Sequence, residues 1–364
     1  MPSHLKSLTG LRWVAALAIF LMHFAYEADF WGHARQVNAL RWLTLGAPSA
    51  VSFFFILSGF VLAWSQGTRS VRRRTFYWNR FARIYPAHLV TFLAAVLLLV
   101  REGQQLSGRV ALTNLTLTQS WIPNQPDFWF GFNGVSWSLS CEFFFYFTFP
   151  FLLPGLLRMS DRGLYRVLAA MTALALLMPA AAMWMADHAG WRDSYLSYIL
   201  PPARLPEFVA GIVLALLVKR GSWRGPGLLV SGALCTVALL WLTRIVPDAF
   251  HFGACTLIPY LLLIPAAARA DVRGTSSWMR GRIVVYLGQV SFCFYLVHEL
   301  VIFAADHILR KHHNIGTAPA VITVFCVSLV LAALLHEAVE KPLARILKTI
   351  APGRKRPAAD TAKA

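Results

Sequence analysis

LRWVAALAIFLMHF, residues 11–24, decides the class of the fold. Every side chain in it except Arg12 and His23 is apolar. Extended to residues 9–27, it supplies the roughly 20 mainly apolar residues that a membrane-crossing helix requires. The same criterion carried outward gives ten candidate spans: 9–27, 48–65, 84–101, 138–157, 164–186, 204–218, 227–245, 250–268, 283–304 and 317–337. The chain therefore reads as an all-α, polytopic integral membrane protein with about ten transmembrane helices. Residues 1–345 form the membrane domain, and 346–364 form a basic, loose cytoplasmic tail. No Ala-x-Ala cleavage site follows the first span, so it is read as retained rather than as a signal peptide.

Composition agrees. Of 364 residues, 57% are hydrophobic and 14% charged, where a soluble chain carries about a quarter charged. Disorder is excluded by the apolar content, and no internal repeat is present. The net charge of +18, from 34 Lys+Arg against 16 Asp+Glu, suggests nucleic acid only in a soluble protein. Here the cations sort by side. With the N-terminus inside, 24 of them fall on inner segments, nine fall on the outer side, and Arg12 lies in the first span. Cations collect on the cytoplasmic face of membrane proteins, so both termini are placed in the cytoplasm.

Several chemistries are excluded. Five cysteines with no CxxC spacing give neither a disulfide framework nor a metal site. Asp306, His307, His312 and His313 have no fixed ligand spacing and read as a solvated loop. No nucleophile elbow, HExxH or phosphate-binding glycine loop occurs. The longest outer loop carries Trp121–Trp129, a mixture of aromatics, prolines and amides. It suits either the lipid headgroups or the mouth of a substrate site.

The ionisable residues inside apolar runs carry the functional signal, because such groups normally face a bundle interior or a wet cavity. Arg12 and His23 are eleven positions apart, which is close to three helical turns. They share one face and are separated by about 16 Å along it. Either Arg12 snorkels to the inner headgroups and His23 ends the helix, or the two line a channel in which a neutral imidazole takes a proton from a hydroxyl. Arg80 and Arg83, three apart among aromatics and just before the third span, form a di-arginine face suited to phosphate. Arg72, Arg73 and Arg74 read as topogenic charge. Glu142 enters the apolar run WSLSCEFFFYFTFP, residues 137–150, and needs a cation, a wet site or a proton. It is placed in the outer half, where it can meet His23; an ion pair with an arginine is the other reading. Ser58 and Gly59 permit close helix approach or ligand contact. Arg204 and Glu207 can pair with each other or bracket a cavity. His336 and Glu340, one turn apart, read as structural.

Taken in order, these residues resemble the membrane-bound acyltransferase-3 family, bacterial multi-span proteins that O-acylate sugars, glycolipids and some antibiotics. Arg12 and His23 match its Arg-x10-His pair, Ser58-Gly59-Phe60 its SGF, and Arg80 and Arg83 its RxxR. Trp137, Ser138, Leu139 and Glu142 match WSLxxE. Arg204, Glu207 and Gly211 resemble a weaker element, while Leu287, Gly288, Ser291, Tyr295, Leu296 and His298 resemble LGxxSYxLYLxH. Phe292 stands where the family has tyrosine, and Cys141 directly precedes the carboxylate.

The resemblance covers roughly residues 5–345 and implies an acyl-CoA-dependent O-acyltransferase of the bacterial inner membrane. Acyl-CoA, with acetyl-CoA as the default, is the co-substrate, and no metal or permanently bound cofactor is implied. In that reading Arg80 and Arg83 hold the CoA phosphates, Arg12 positions the donor, His23 is the general base, and Glu142 orients it. Ser58, Trp137, Ser138, Arg204, Glu207 and His298 are substrate or cavity candidates. The expected acceptor is a surface carbohydrate or its lipid-linked precursor, with a glycan assembly or export system as partner. A macrolide or another secreted small molecule is the alternative. A transporter of a lipid-linked sugar is the alternative of another class, although no inverted repeat supports it. Direct transfer and an acyl-enzyme relay both remain open, since a pantetheine arm of about 15–20 Å spans the distance from Arg12 to His23.

Overall fold

A computed structural model describes residues 4–27, 35–66, 71–275, 277–309 and 317–350. Fifteen α-helices are described. They are α1 (Lys6–Glu27), α2 (Arg35–Thr44), α3 (Ala50–Gln66), α4 (Arg73–Arg101), α5 (Gly108–Leu115), α6 (Pro126–Trp129), α7 (Trp137–Arg158) and α8 (Asp161–Ala189). These are followed by α9 (Pro201–Lys219), α10 (Leu228–Leu240), α11 (Asp248–His251), α12 (Ala254–Val272), α13 (Arg282–Leu309), α14 (Thr317–Leu335) and α15 (Lys341–Thr349). Among the described residues, nine helical segments are long and apolar enough to cross a membrane. A lipid-facing backbone can satisfy its polar groups only within itself, which makes helices the outcome for such runs.

The seventh expected span, 227–245, is shorter than the rest. Its helix stops at Leu240, where Trp241 leaves helical geometry (φ −122°, ψ −51°), and a single 3-10 turn, Leu242–Arg244, continues it. Thirteen helical residues rise about 20 Å. The segment still runs from one end of the bundle to the other. Beside its start, Arg269 donates to the Trp223 carbonyl at 3.3 Å. At its far end, Arg244 donates to the carbonyl of Trp42.

The third span also differs from the expectation of 84–101. Its helix begins at Arg73, so Arg80 and Arg83 lie two to three turns inside α4 rather than before it. At the other terminus, α15 runs through the 345/346 boundary to Thr349, and residues 351–364 lie outside the described residues.

Contacts at the two ends of the bundle fix how the helices alternate. At one end, the backbone N–H and the hydroxyl of Ser7 both donate to Asp271, each at 2.8 Å. There too, Lys219 donates to the Ala63 carbonyl at 3.1 Å and Trp78 Nε1 to the Leu347 carbonyl at 2.6 Å. At the opposite end, Arg41 Nε donates to the Ala25 carbonyl (2.7 Å) and Asn133 Nδ2 to that of Leu296 (2.9 Å). The first end holds the start of α1, the ends of α3, α9 and α12, and α15.

Small residues set the closest crossings. α3 and α9 meet at Gly59 and Gly211, α13 meets α1 where Gly288 lies against Thr9, and Gly10 of α1 lies against Met279 in the turn before α13. Beside the first crossing the core is aromatic: Phe55 lies edge-on to Phe145 and Phe145 stacks on Phe208, both at 5.0 Å between ring centroids.

In the segment between α4 and α7, Trp121 and Phe130 are exposed while Trp129 is tied inward. Trp129 is fully buried, donates to the Ile122 carbonyl at 2.7 Å and stacks on Tyr195.

Candidate active site

α1 and α13 lie side by side, and their pairing brings together two histidines 275 positions apart. His23 Nδ1 is 2.9 Å from His298 Nε2, with the ring planes 14° apart. His298 Nδ1 is 3.1 Å from the Phe294 carbonyl one turn earlier. A carbonyl only accepts, so His298 Nδ1 carries hydrogen, and a neutral ring then leaves Nε2 as an acceptor. Nδ1 of His23 must donate to it. The lone pair of a neutral His23 is thereby fixed on Nε2, pointing away from the dyad. Phe20 and Phe294 pack around His298 and leave it no exposed surface. His23 Nε2 faces Glu27, whose Oε1 is 3.9 Å away, and 16% of the His23 side chain is exposed.

Glu142 does not complete this dyad. It lines a cavity of about 60 Å³ with Arg12, Ser138, Ser291 and Tyr295. Tyr146, one turn further along α7, donates to Glu142 Oε2 at 3.0 Å and lies within hydrogen-bonding reach of Ser58. Arg12, Arg80 and Arg83 are the cations around Glu142. Of the two partners expected for Glu142, His23 and an arginine, the structure supplies arginines. Glu142 lies five residues into α7, about 7.5 Å below Trp137, and this depth brings it to the level reached by Arg12. Arg80 lies over the Tyr146 ring at 5.9 Å, and its buried Nε has no hydrogen-bond partner among the described residues. Glu340 is a second carboxylate near Arg12 and Arg83. It is held by His336 Nδ1 at 2.6 Å and by the Cys293 thiol at 3.2 Å.

The remaining candidates separate by role. Ser138 shares a 3.0 Å hydrogen bond with the Tyr295 hydroxyl on the small cavity's wall. Trp137 is buried against Tyr198 and Phe55. Arg204 and Glu207 form a buried pair at 3.1 Å and line neither of the two cavities described here. Arg204 also donates to Ser52 Oγ (2.6 Å) and the Ser197 carbonyl (2.8 Å), tying α9 to α3. Arg204→Lys loses the second arm of the guanidinium fork. With each lost hydrogen bond worth about 1 kcal/mol, the variant should melt earlier in detergent while its KM for acyl-CoA stays unchanged.

Sequence reasoning assigned no role to Tyr146 or Glu27, although both were signalled by spacing, four residues after Glu142 and four after His23. Glu27 opens onto a second cavity of about 700 Å³ between α1, α4, α13 and the outer loop. That volume is within the usual range for small-molecule sites. Neither histidine lines either cavity; along α1, His23 falls between Arg12, on the wall of the small cavity, and Glu27, on the wall of the large one.

The chain matches the family described as "Acyltransferase domain" over residues 5–337. It is 40% identical to "Acyltransferase MdmB" of Streptomyces mycarofaciens across 98% of this chain and 94% of that protein. Six Staphylococcus aureus proteins whose names propose O-acetyltransferase activity are 24% identical over 93% of this chain, which spans 57% of their length. "Nodulation protein 10" of Rhizobium leguminosarum bv. viciae is 29% identical over 216 residues, 54% of this chain and 55% of that protein. No solved structure matches the chain.

Proposed function

This chain belongs to the membrane-bound acyltransferase-3 family, and from that membership we propose that it moves an acetyl group from cytoplasmic acetyl-CoA to a hydroxyl of a secreted small molecule, of which macrolides are one class. The observation that carries the reading is the His23 lone pair, fixed by His298 and directed toward Glu27, which lines the larger cavity.

Each step has a named group. Arg80 and Arg83 bind CoA phosphates, the unpartnered Arg80 Nε being a donor in waiting. Arg12 holds the donor where it enters the bundle. His23 Nε2 takes the acceptor's hydroxyl proton as the oxygen bonds to the thioester carbonyl carbon. The carbon–sulfur bond breaks, and the proton passes from the imidazolium to the departing thiolate. Glu142 balances the arginine cluster rather than orienting the base.

The small-molecule acceptor is favoured over the expected surface carbohydrate by the cavity of about 700 Å³, a size that suits a small ligand; the chain also aligns end to end with the acyltransferase MdmB. The lipid bilayer and the cytoplasmic acyl donor are the partners this reading requires, in the bacterial inner membrane. In this reading the chain crosses ten times with both termini cytoplasmic; the cation bias is the argument for the side, and two contacts are compatible with the count. Ser7 joins Asp271 at one end of the bundle, and α10 connects that end to the other.

The test is reconstitution with labelled acetyl-CoA and candidate macrolide and glycan acceptors. Acceptors that leave with unchanged mass would point to a transporter. Neutralising both arginines, Arg80→Gln with Arg83→Gln, should weaken CoA binding by about tenfold or more, at 1.5–3 kcal/mol per charged hydrogen bond. It should also flatten the salt dependence of binding. Unchanged affinity would return the pair to topogenic charge.

A further inference from the structure

Where α14 gives way to α15, three side chains that the transfer chemistry does not use bring metal-binding atoms together. Cys293 Sγ, a ring nitrogen of His336 and a carboxylate oxygen of Glu340 all lie within 4.8 Å of one another. No spacing in the sequence marks them as a set, because Cys293 belongs to α13 and the other two follow α14. His336–Glu340 forms a single π-turn between α14 and α15, in which the Lys341 N–H bonds to the His336 carbonyl five residues back. One-turn π insertions are rare and occur frequently at functional sites.

Two hydrogen bonds converge on one oxygen. The fully buried Cys293 thiol donates to Glu340 Oε2 at 3.2 Å, and His336 Nδ1 reaches the same oxygen at 2.6 Å. A thiol is a weak donor, and a carboxylate only 8% exposed is costly to bury without a stronger partner. Tetrahedral zinc, with bonds of about 2.0–2.3 Å, sets its ligand atoms about 3.3–3.7 Å apart. The sulfur–oxygen separation is nearly that already. The nitrogen–oxygen contact has to open by about 0.7 Å to match, which a turn of the carboxylate supplies. Thiolate, imidazole and carboxylate together suit zinc, whereas magnesium and calcium take oxygen ligands. Arg12 and Arg83 act on Glu340 from nearby and oppose a bare cation. The ligand set answers them, since a thiolate and a carboxylate cancel the two charges of the ion.

We propose that Cys293, His336 and Glu340 form a three-ligand zinc site with water in the fourth position. On binding, the thiol releases its proton to solvent, and the imidazole carries its hydrogen on Nε2 so that the Nδ1 lone pair faces the ion. The His336 side chain is 12% exposed, which gives the ion a way in. Once bound, zinc fastens α13 to the junction of α14 and α15. α15 in turn packs on α4, where Trp78 Nε1 donates to the Leu347 carbonyl, so the clamp steadies the helix that carries Arg80 and Arg83. The site goes beyond the acyltransferase reading and does not depend on it.

The test uses the full-length protein, purified in detergent without a polyhistidine tag, stripped with a chelator and titrated with zinc or cobalt chloride. One equivalent of zinc per chain should survive gel filtration and raise the melting temperature by several degrees. Cobalt should give a thiolate charge-transfer band together with the strong visible bands of a four-coordinate ion. Cys293→Ser should erase the charge-transfer band, and His336→Gln should weaken zinc binding by about tenfold or more. Cys326→Ser removes the exposed thiol and should change neither. Failure of the unmodified protein to retain zinc would overturn the proposal, whatever the variants do. So would a charge-transfer band that survives Cys293→Ser, or one that vanishes in Cys326→Ser.

Discussion

Replacing His23 with alanine lowers acyl transfer by about 10²–10⁴-fold, the range that a positioned general base supplies, while the protein still folds and binds CoA. The separation follows from the structure, because the dyad and the arginine cluster occupy different levels of the bundle. A companion substitution tests the fixed tautomer. His298→Ala removes the acceptor of His23 Nδ1–H, so the ring is free to present either nitrogen and the rate drops. His298→Gln can return an oxygen near the position of Nε2, and it should recover part of the rate and restore the pH profile. A merely structural histidine would show the same order in melting temperature and no change in the shape of that profile. Full transfer by His23→Ala would remove the base from its role and favour another group on the outer side.

The parts of this site that were legible in the sequence are those within one helix. Arg12 and His23 share a face by periodicity alone, and Arg80 and Arg83 do so by their three-residue spacing. Partnerships across helices were not legible. His298 was found only as one position of an apolar motif, and nothing within α13 says that its Nε2 meets α1. For Glu142 the sequence leaves both His23 and an arginine open, because a span drawn on paper has a depth but no tilt or offset against its neighbours. Packing lowers Glu142 to the arginines and leaves Glu27, an unremarked residue at a helix end, next to His23. The topology shows the same limit. Apolar content located α10 and could not show that Trp241 would end its helix early.

The SGF stretch divides along the same line, and it yields the largest effect expected on folding. Gly59 and Gly211 are the points where α3 and α9 touch. A methyl group on Gly59 would press into the Phe208 carbonyl, and one on Gly211 into the Ile56 carbonyl. Both obstacles are backbone, which cannot rotate aside as a side chain does, so the helices must part. Parting them also opens the Phe55–Phe145–Phe208 stack and strains the Arg204 anchor to Ser52. Overpacking a tight core costs about 1–3 kcal/mol and sometimes more. Two such insertions at one crossing should exceed what a marginally stable chain tolerates. Gly59→Ala with Gly211→Ala should therefore yield little folded protein in detergent, judged by a monodisperse elution peak, and each single variant should melt earlier. Gly155→Ala is the control, since a Cβ there meets nothing within 4 Å and alanine is the better helix former by about 1 kcal/mol. Were Gly59→Ala to fold normally and lose only transfer, the glycine would belong to the ligand path instead of the crossing.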